Sequence, residues 1–403
     1  MEQPSPLLPL GFSRHRISKN QYHVAWYLNS QDSRSLISGL ENILVTVTLS
    51  PTRAFLQLTL MTAKTILRNS IARLLFKIGL TTPERRGYGR LSIATFHRVL
   101  PETELQACPF PGLVVTPEEL DAFLTYFNEH FDCGTLATQH ERYLSGEISA
   151  RPLLALTFDD AQHDNYNNAR PVLARHHVKA SFFIPVAAVE RQELLWHDRL
   201  GFAVHNMLKQ ALGGRERLMQ LLAAAGLSVS GPRNLISNVV EASKGLSLEA
   251  RLRLVEALIE ASGSAPAPEF ARLMTFDEIA ELAADGHEIG SHSMTHCLMP
   301  ECDDRALEYE VAESRHMLQD RIGQPIETFC YPNGNSDIRT SHAVAQAGYR
   351  RAVTTAWGNN GQETDRFRLH RYDMVAKRVQ DSSGKFVPAL LAFRMSGFYP
   401  GLD

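Results

Sequence analysis

Leu153-Leu154-Ala155-Leu156-Thr157-Phe158-Asp159-Asp160 (residues 153–160) is the stretch on which the reading of this chain turns. LLALTF has one polar side chain in six residues, the composition and length of a strand buried on both faces. It ends on two adjacent carboxylates, and the carboxyl ends of such strands are where α/β folds place their chemistry. Neighbouring carboxylates repel each other, so a metal ion or a shared proton is needed to hold them together. Within a strand the two side chains face opposite ways. Past its end both can approach one site, one as a ligand and the other as a free base. Taken alone, Asp-Asp fits a solvated turn or a helix cap equally well.

Working outward, similar runs recur on both sides. LSIATF (91–96) leads into the polar pair His97 and Arg98, and ASFFIPV (180–186), HEIGSHS (287–293), ETFCYP (327–332) and RAVTT (351–355) follow. Between them lie helical stretches: TPEELDAFLTYF, which opens on a capping box of Thr116 and Glu119, then NNARPVLARHH, FDEIAELAADG, ALEYEVAESRHMLQDRIG and SHAVAQAGY. Strands alternating with helices of this length imply a parallel sheet with crossover helices, either a barrel or a doubly wound sheet. Residues 190–270 interrupt the alternation with charged helical text (RERLMQLLAAAGL, LEARLRLVEALIEAS) and read as an insertion over one face of the core.

The 403 residues, 44% of them hydrophobic, can bury a large core. Lys and Arg total 41 against 44 Asp and Glu, a net charge of −3, which lacks the basic field that nucleic-acid binding needs. Cys108, Cys133, Cys297, Cys302 and Cys330 are odd in number and scattered, and the near pair 297/302 lacks CxxC spacing; they read as reduced thiols in a cytosolic-type compartment. The amino terminus has no secretory-signal pattern, and no run of 18 apolar residues predicts a membrane span. A cytoplasmic location follows as the expectation. Residues 1–60 show no sustained periodicity, and 381–403 read as a tail. In MTAKTILRNSIARLLFKIGL (61–80), Ile66, Leu67, Ile71, Leu74, Leu75 and Ile78 fall at helical spacing among Lys64, Arg68, Arg73 and Lys77. This basic amphipathic helix is expected to pack on the domain after it, with peripheral contact to an anionic membrane as the second reading.

Two further segments carry chemistry. In Gly290-Ser291-His292-Ser293-Met294-Thr295-His296, imidazoles four residues apart can meet on one ion if the segment turns helically. Two neutral histidines and one carboxylate make a three-ligand catalytic site for zinc or a similar ion. Phe329-Cys330-Tyr331-Pro332-Asn333-Gly334 is a strand end broken into a turn, whose amides can point at a ligand.

Together, TFDD with DNYNNARPVLARHHVKASFF, then GHEIGSHSMTH, then FCYPNG, resemble the polysaccharide deacetylase (NodB-homology) family of carbohydrate esterases from about Leu91 to Met374, the insertion excluded. The resemblance implies a deformed (β/α) barrel with a helical insertion and an amino-terminal extension, spanning residues 88–380. It also implies metal-dependent removal of acetyl groups from an acetylated polysaccharide or oligosaccharide such as an exopolysaccharide. By the same resemblance Asp159 is the general base, and Asp160, His292 and His296 hold a divalent metal, zinc by preference. The amide of Tyr331 helps form the oxyanion hole, and His97, Arg98, Pro332 and Arg371 line the substrate site. Two departures stand out. Cys330 occupies the place of an arginine that orients the base in many members, so another group must position Asp159. The general acid, a histidine in a Leu-x-His pattern, has only His370, directly after Leu369, as its candidate on the last strand, with His97 as another source of the proton. Rival readings are a glycan-binding relative without activity and a cyclic-amide hydrolase on the same barrel.

Overall fold

A computed structural model describes the backbone of residues 11–18, 21–27 and 53–397, apart from 211, 230–233 and 264–266, with side chains from residue 65 onward. Seven parallel strands, β1 (Leu91–Phe96), β2 (Leu153–Phe158), β3 (Ser181–Ile184), β4 (Glu288–Ser291), β5 (Thr328–Cys330), β6 (Arg351–Trp357) and β7 (Leu369–Asp373), lie side by side in chain order. Tyr372 and Asp373 of β7 pair with Ala94 and Thr95 of β1, which closes the sheet into a barrel and decides against the doubly wound alternative. A short strand, Asp132–Gly134, pairs with residues 153–155 of β2, the half that β3 does not reach.

Strand alternation sorts the side chains into two cores. Leu91, Ile93, Leu153, Ala155, Phe183, Cys330, Val353 and Leu369 fill the barrel interior. Their neighbours in sequence, among them Ala94, Phe96, Leu154, Leu156, Phe158, Phe182, Phe329 and Tyr372, face outward into the layer shared with the surrounding helices. The interior is tight enough to exclude a methyl group in places: a Cβ on Gly290 would lie 2.6 Å from the Phe183 ring. One consequence governs the site. Asp159, His292 and Arg371 stand an even number of residues from Ala155, Gly290 and Leu369, so they prolong inward-facing rows at the carboxyl end of the barrel.

The insertion is a helical unit of its own: α1 (Trp196–Lys209), α2 (Gly214–Ala224), α3 (Leu235–Ser243) and α4 (Leu248–Ser262). Leu200, Val204, Met207, Leu218, Leu222, Val239, Leu254, Val255 and Leu258 form its separate core. The stretch read as a tail carries a helix, Pro388–Met395, whose Leu390, Leu391 and Phe393 are buried in the main core, because PALLAFRM supplies apolar residues on every side.

In the amino-terminal region, Gly11–Ser18 and Gln21–Tyr27 form an antiparallel hairpin. The basic helix runs Arg53–Lys77, starting earlier than the reading from Met61. Its apolar stripe is divided: Ala72, Leu75 and Phe76 pack on the barrel core, while Ile66, Leu67, Leu74 and Ile78 are exposed. No helix among the described residues is long and apolar enough to cross a membrane.

Two buried histidines give the fold a pH signature. His287 accepts the Ala180 amide through Nδ1 at 3.1 Å and packs edge-on against Phe182, and burial takes it down to about 4. Burial, with Arg351 nearby, also takes His140 down to about 4. Both stay neutral in the native state while the unfolded chain protonates them near pH 6.5, so stability is lost as pH falls from about 6.5 to about 4. We expect roughly 1–2 kcal/mol per histidine over that window. Urea midpoints measured between pH 7 and 4 should fall accordingly, and His287→Gln should flatten the curve; a profile with no slope in that range would refute the assignment.

Candidate metal-binding active site

At the carboxyl end of β2 the backbone leaves the strand through two residues in the left-handed region, Asp160 (φ 74°) and Ala161 (φ 52°). That turn is costly for residues other than glycine, though less so for Asp. Its effect is that Asp159 keeps the inward direction of β2 while Asp160 swings sideways toward the loop after β4. There Asp160 Oδ1 lies 3.4 Å from His292 Nε2 and 3.3 Å from His296 Nε2. The two histidines do not meet by a helical turn. Residues 292–298 are a loop, with Ser293 (φ 65°) and His296 (φ 57°) both left-handed. Glu310 clamps this loop: its carboxylate accepts the amides of Met294 and Thr295 at 3.0 and 2.8 Å and the Thr295 hydroxyl. The Ser293 hydroxyl accepts the His296 amide at 3.0 Å.

The donor set fits a divalent ion. Separations of 3.3–3.4 Å between donor atoms are those of tetrahedral ligands each about 2.1 Å from zinc. His292 donates from Nδ1 to the Cys330 carbonyl at 2.8 Å, the bond that orients a ligating histidine and aims its Nε2 at the ion shared with Asp160. Burial would push Asp160 up, but the two imidazoles outweigh it and hold it well below the ordinary carboxylate value. Burial opposes a charge on His292, yet the carboxylates of Asp160 and Asp159 carry it well above an ordinary imidazole. Burial takes His296 down to about 4.

Asp159 is held differently. Arg371 grips it in a fork, Nη1 to Oδ1 and Nη2 to Oδ2, both at 2.8 Å. Arg371 is 1% exposed, and its remaining hydrogens go to the Thr354 carbonyl, the hydroxyls of Thr95 and Thr157 and, at 3.4 Å, Cys330 Sγ. Burial would raise Asp159, but the guanidinium prevails and holds it below its usual value. Burial pushes the Cys330 thiol up, so it stays neutral, 3.7 Å from Asp159 Oδ2. The group that replaces the arginine missing at Cys330 is therefore on β7, where the inward row Leu369, Arg371 was the sequence signal for it.

The residues read as substrate-contacting are placed differently. Arg371 belongs to the site but is buried against Asp159, and Pro332 is also buried. Arg98 is 4% exposed and spent on Asp164, whose carboxylate also accepts the Val99 amide, because a buried guanidinium must be paired. His370 has the opposite parity to Arg371, turns to the outer face near Gly358, and does not join the cluster. The Tyr331 amide donates to the Val353 carbonyl at 3.1 Å, so sheet pairing consumes it. His97 does reach the site, with Nε2 3.8 Å from Asp159 Oδ2 and its side chain 20% exposed. The cysteines are less scattered than the sequence implies: the turn Met299–Glu301 brings Cys302 Sγ to 3.1 Å from Cys297 Sγ, beside His296. A cavity of about 430 Å³ opens at the amino-terminal end of the barrel, lined by Arg90, His140, Tyr143 and Leu153, away from the cluster.

The buried pair is testable by a double-mutant cycle in chelator. Arg371→Ala should cost about 3–5 kcal/mol by stranding a buried carboxylate. Asp159→Asn combined with Arg371→Ala should cost clearly less than the sum of the two single changes, read from urea unfolding; additivity within about 0.5 kcal/mol would show that the two groups are not coupled.

A family model described as polysaccharide deacetylase matches residues 147–229 and 230–352, just over half of the chain. The Bacillus subtilis protein YxkH, whose name places it among the polysaccharide deacetylases, is 26% identical over 117 residues, which is 29% of this chain and 42% of YxkH. The match thus spans under half the length of that relative. Among solved structures, the deacetylase PplD of Streptococcus pyogenes, in complex with acetate, is similar with a TM-score of 0.50 at 17% identity, over 76% of this chain and 98% of PplD. IcaB from Ammonifex degensii gives 0.46 at 16%, over 76% and 97%. The likeness to PplD is one of barrel architecture. Because the family match runs through both aspartates, both histidines and Cys330, on the barrel that carries them, the chain belongs to the polysaccharide deacetylase family.

Proposed function

We propose that this protein is a metal-dependent hydrolase that removes acetyl groups from an acetylated glycan. The observation that carries the reading is the pairing of two differently held carboxylates: Asp160 with His292 and His296 at ligand spacing, and Asp159 beside them, kept ionised by Arg371. A divalent ion held by Asp160, His292 and His296, zinc by the donor set, would supply Lewis-acid polarisation of the acetyl carbonyl and of water.

The chain's own residues then have distinct tasks. Asp159 takes a proton from the attacking water, and the fork from Arg371 fixes its oxygens while leaving lone pairs free on each. His97, close to Asp159 and partly exposed, gives a proton to the leaving amine, and the proton taken up by Asp159 replaces it.

The exposed Ile66, Leu67, Leu74 and Ile78, with Arg73 and Lys77 also exposed on the same helix, support a second proposal, peripheral contact with an anionic membrane. Co-sedimentation should be stronger with phosphatidylserine vesicles than with neutral ones, and equal binding to both would rule this out.

The reaction is tested by acetate release from N-acetylglucosamine oligomers, acetylated xylan and a bacterial exopolysaccharide, after chelation and after zinc is restored. Asp159→Asn should lower turnover by roughly 10² to 10⁴ while zinc binding persists. His292→Ala and His296→Ala should lose zinc and activity together. Near-normal turnover in Asp159→Asn would sink the base assignment, and loss of zinc from that variant would make Asp159 a ligand.

A further inference from the structure

The site described so far lies on barrel strands and their loops, yet the insertion also reaches it. At the start of α1, Trp196, His197 and Asp198 form the tip of the helical unit. The His197 ring lies 5.0 Å from that of His296, centroid to centroid. It is also close enough to weigh on the charge of Asp160. We infer that the insertion completes the substrate site and that His197 is a substrate-contacting residue, hydrogen-bonding the acetylated sugar at the metal centre. This rests on the deacetylase reading and names where its substrate is held.

Three features argue that this placement is built rather than incidental. First, the insertion is bolted to three separate loops of the site. Asp198, 4% exposed, accepts from Gln162 Nε2 at 3.0 Å, two residues past Asp160. Arg251 of α4, 1% exposed, binds Glu301 at 2.6 Å in the turn after His296 and stacks on Trp196. Lys244, which follows α3, bonds the side-chain oxygen of Asn333. Second, the ring of His197 is oriented by packing: Trp196 meets it edge-on at 5.8 Å, and Phe110 lies at 6.3 Å on an interplanar angle of 61°. Third, no hydrogen bond to its ring is seen among the described residues. The nearest carboxylate oxygen, Asp198 Oδ1, is 3.9 Å from Nε2, beyond bonding distance, and the side chain keeps 15% of its surface open. An oriented imidazole with a free polar edge at the mouth of a reaction centre suits the hydroxyl and acetamido groups of a sugar.

A fourth metal ligand would also sit near His296, so the experiment separates the two. Zinc affinity is measured by chelator competition, and kcat and KM by acetate release from N-acetylglucosamine oligomers, for the wild type, His197→Ala and His197→Gln, with thermal melts as a check on folding. We expect KM to rise about tenfold in His197→Ala with kcat within a factor of about two, as for loss of a contact made equally in ground and transition states. Zinc affinity should be unchanged, and His197→Gln should recover part of the KM. An unchanged KM in both variants, or zinc binding weakened about tenfold or more, would overturn the assignment. Wild-type protein that binds zinc but releases no acetate from any glycan would instead overturn the deacetylase reading itself.

Discussion

A carboxylate and a guanidinium buried together at the carboxyl end of a barrel impose conditions on everything around them. Asp159 and Arg371 have almost no access to water, so each must find its partners within the protein or be neutralised. The fork between them satisfies most of that demand, and the Thr354 carbonyl, the hydroxyls of Thr95 and Thr157 and Cys330 Sγ satisfy the rest. These partners lie on five neighbouring elements of the closed sheet, β5, β6, β7, β1 and β2, so the site has its shape only when the barrel is closed. The same pair keeps the Asp159 carboxylate ionised beside Asp160. Where the resemblance leads one to expect an arginine at Cys330 on β5, the charge that holds Asp159 is supplied by Arg371 on β7.

Much of this was legible in the sequence because it follows from short-range rules. The apolar runs ending at Phe96, Phe158 and Cys330 are all strands, and Thr116 with Glu119 caps its helix by the reciprocal bonds that the spacing implies. The cluster of Asp160, His292 and His296 could be proposed from spacing because the two loops that carry it follow strand ends directly. What the sequence hid were facts of parity and of long range. His370 and Arg371 are adjacent, and only strand alternation says which of them looks inward. Glu310 clamps the histidine loop from a helix 14 residues past His296, and no local pattern marks it. The Tyr331 amide looked free until its pairing across to β6 was known. His197 sits in text that reads as plain helix, and nothing within the insertion reveals what lies across from its tip.

The loops of the site differ in how their strain is held. Asp160, Ala161, Ser293 and His296 all adopt left-handed backbone, and each lies within two residues of a group that the chemistry uses. Such conformations cost of order 1 kcal/mol or more each and persist only where surroundings over-determine them. Glu310 does this for the histidine loop, and the Met274 amide, bound to the Ala161 carbonyl, does it for the aspartate loop. The rigidity of the centre comes from this bracing as much as from the barrel.

The arrangement also separates two kinds of evolutionary freedom. The reacting groups hang from inward rows of a closed barrel, where a change of one residue alters packing on several strands at once, so that part of the chain is constrained. The wall over them comes from one contiguous stretch, residues 196–262, with a core of its own. Such a stretch can drift, lengthen or be exchanged as a block, provided that its anchors at Asp198, Lys244 and Arg251 are kept. The insertion is therefore the place where what this protein admits can change without rebuilding what it does to it.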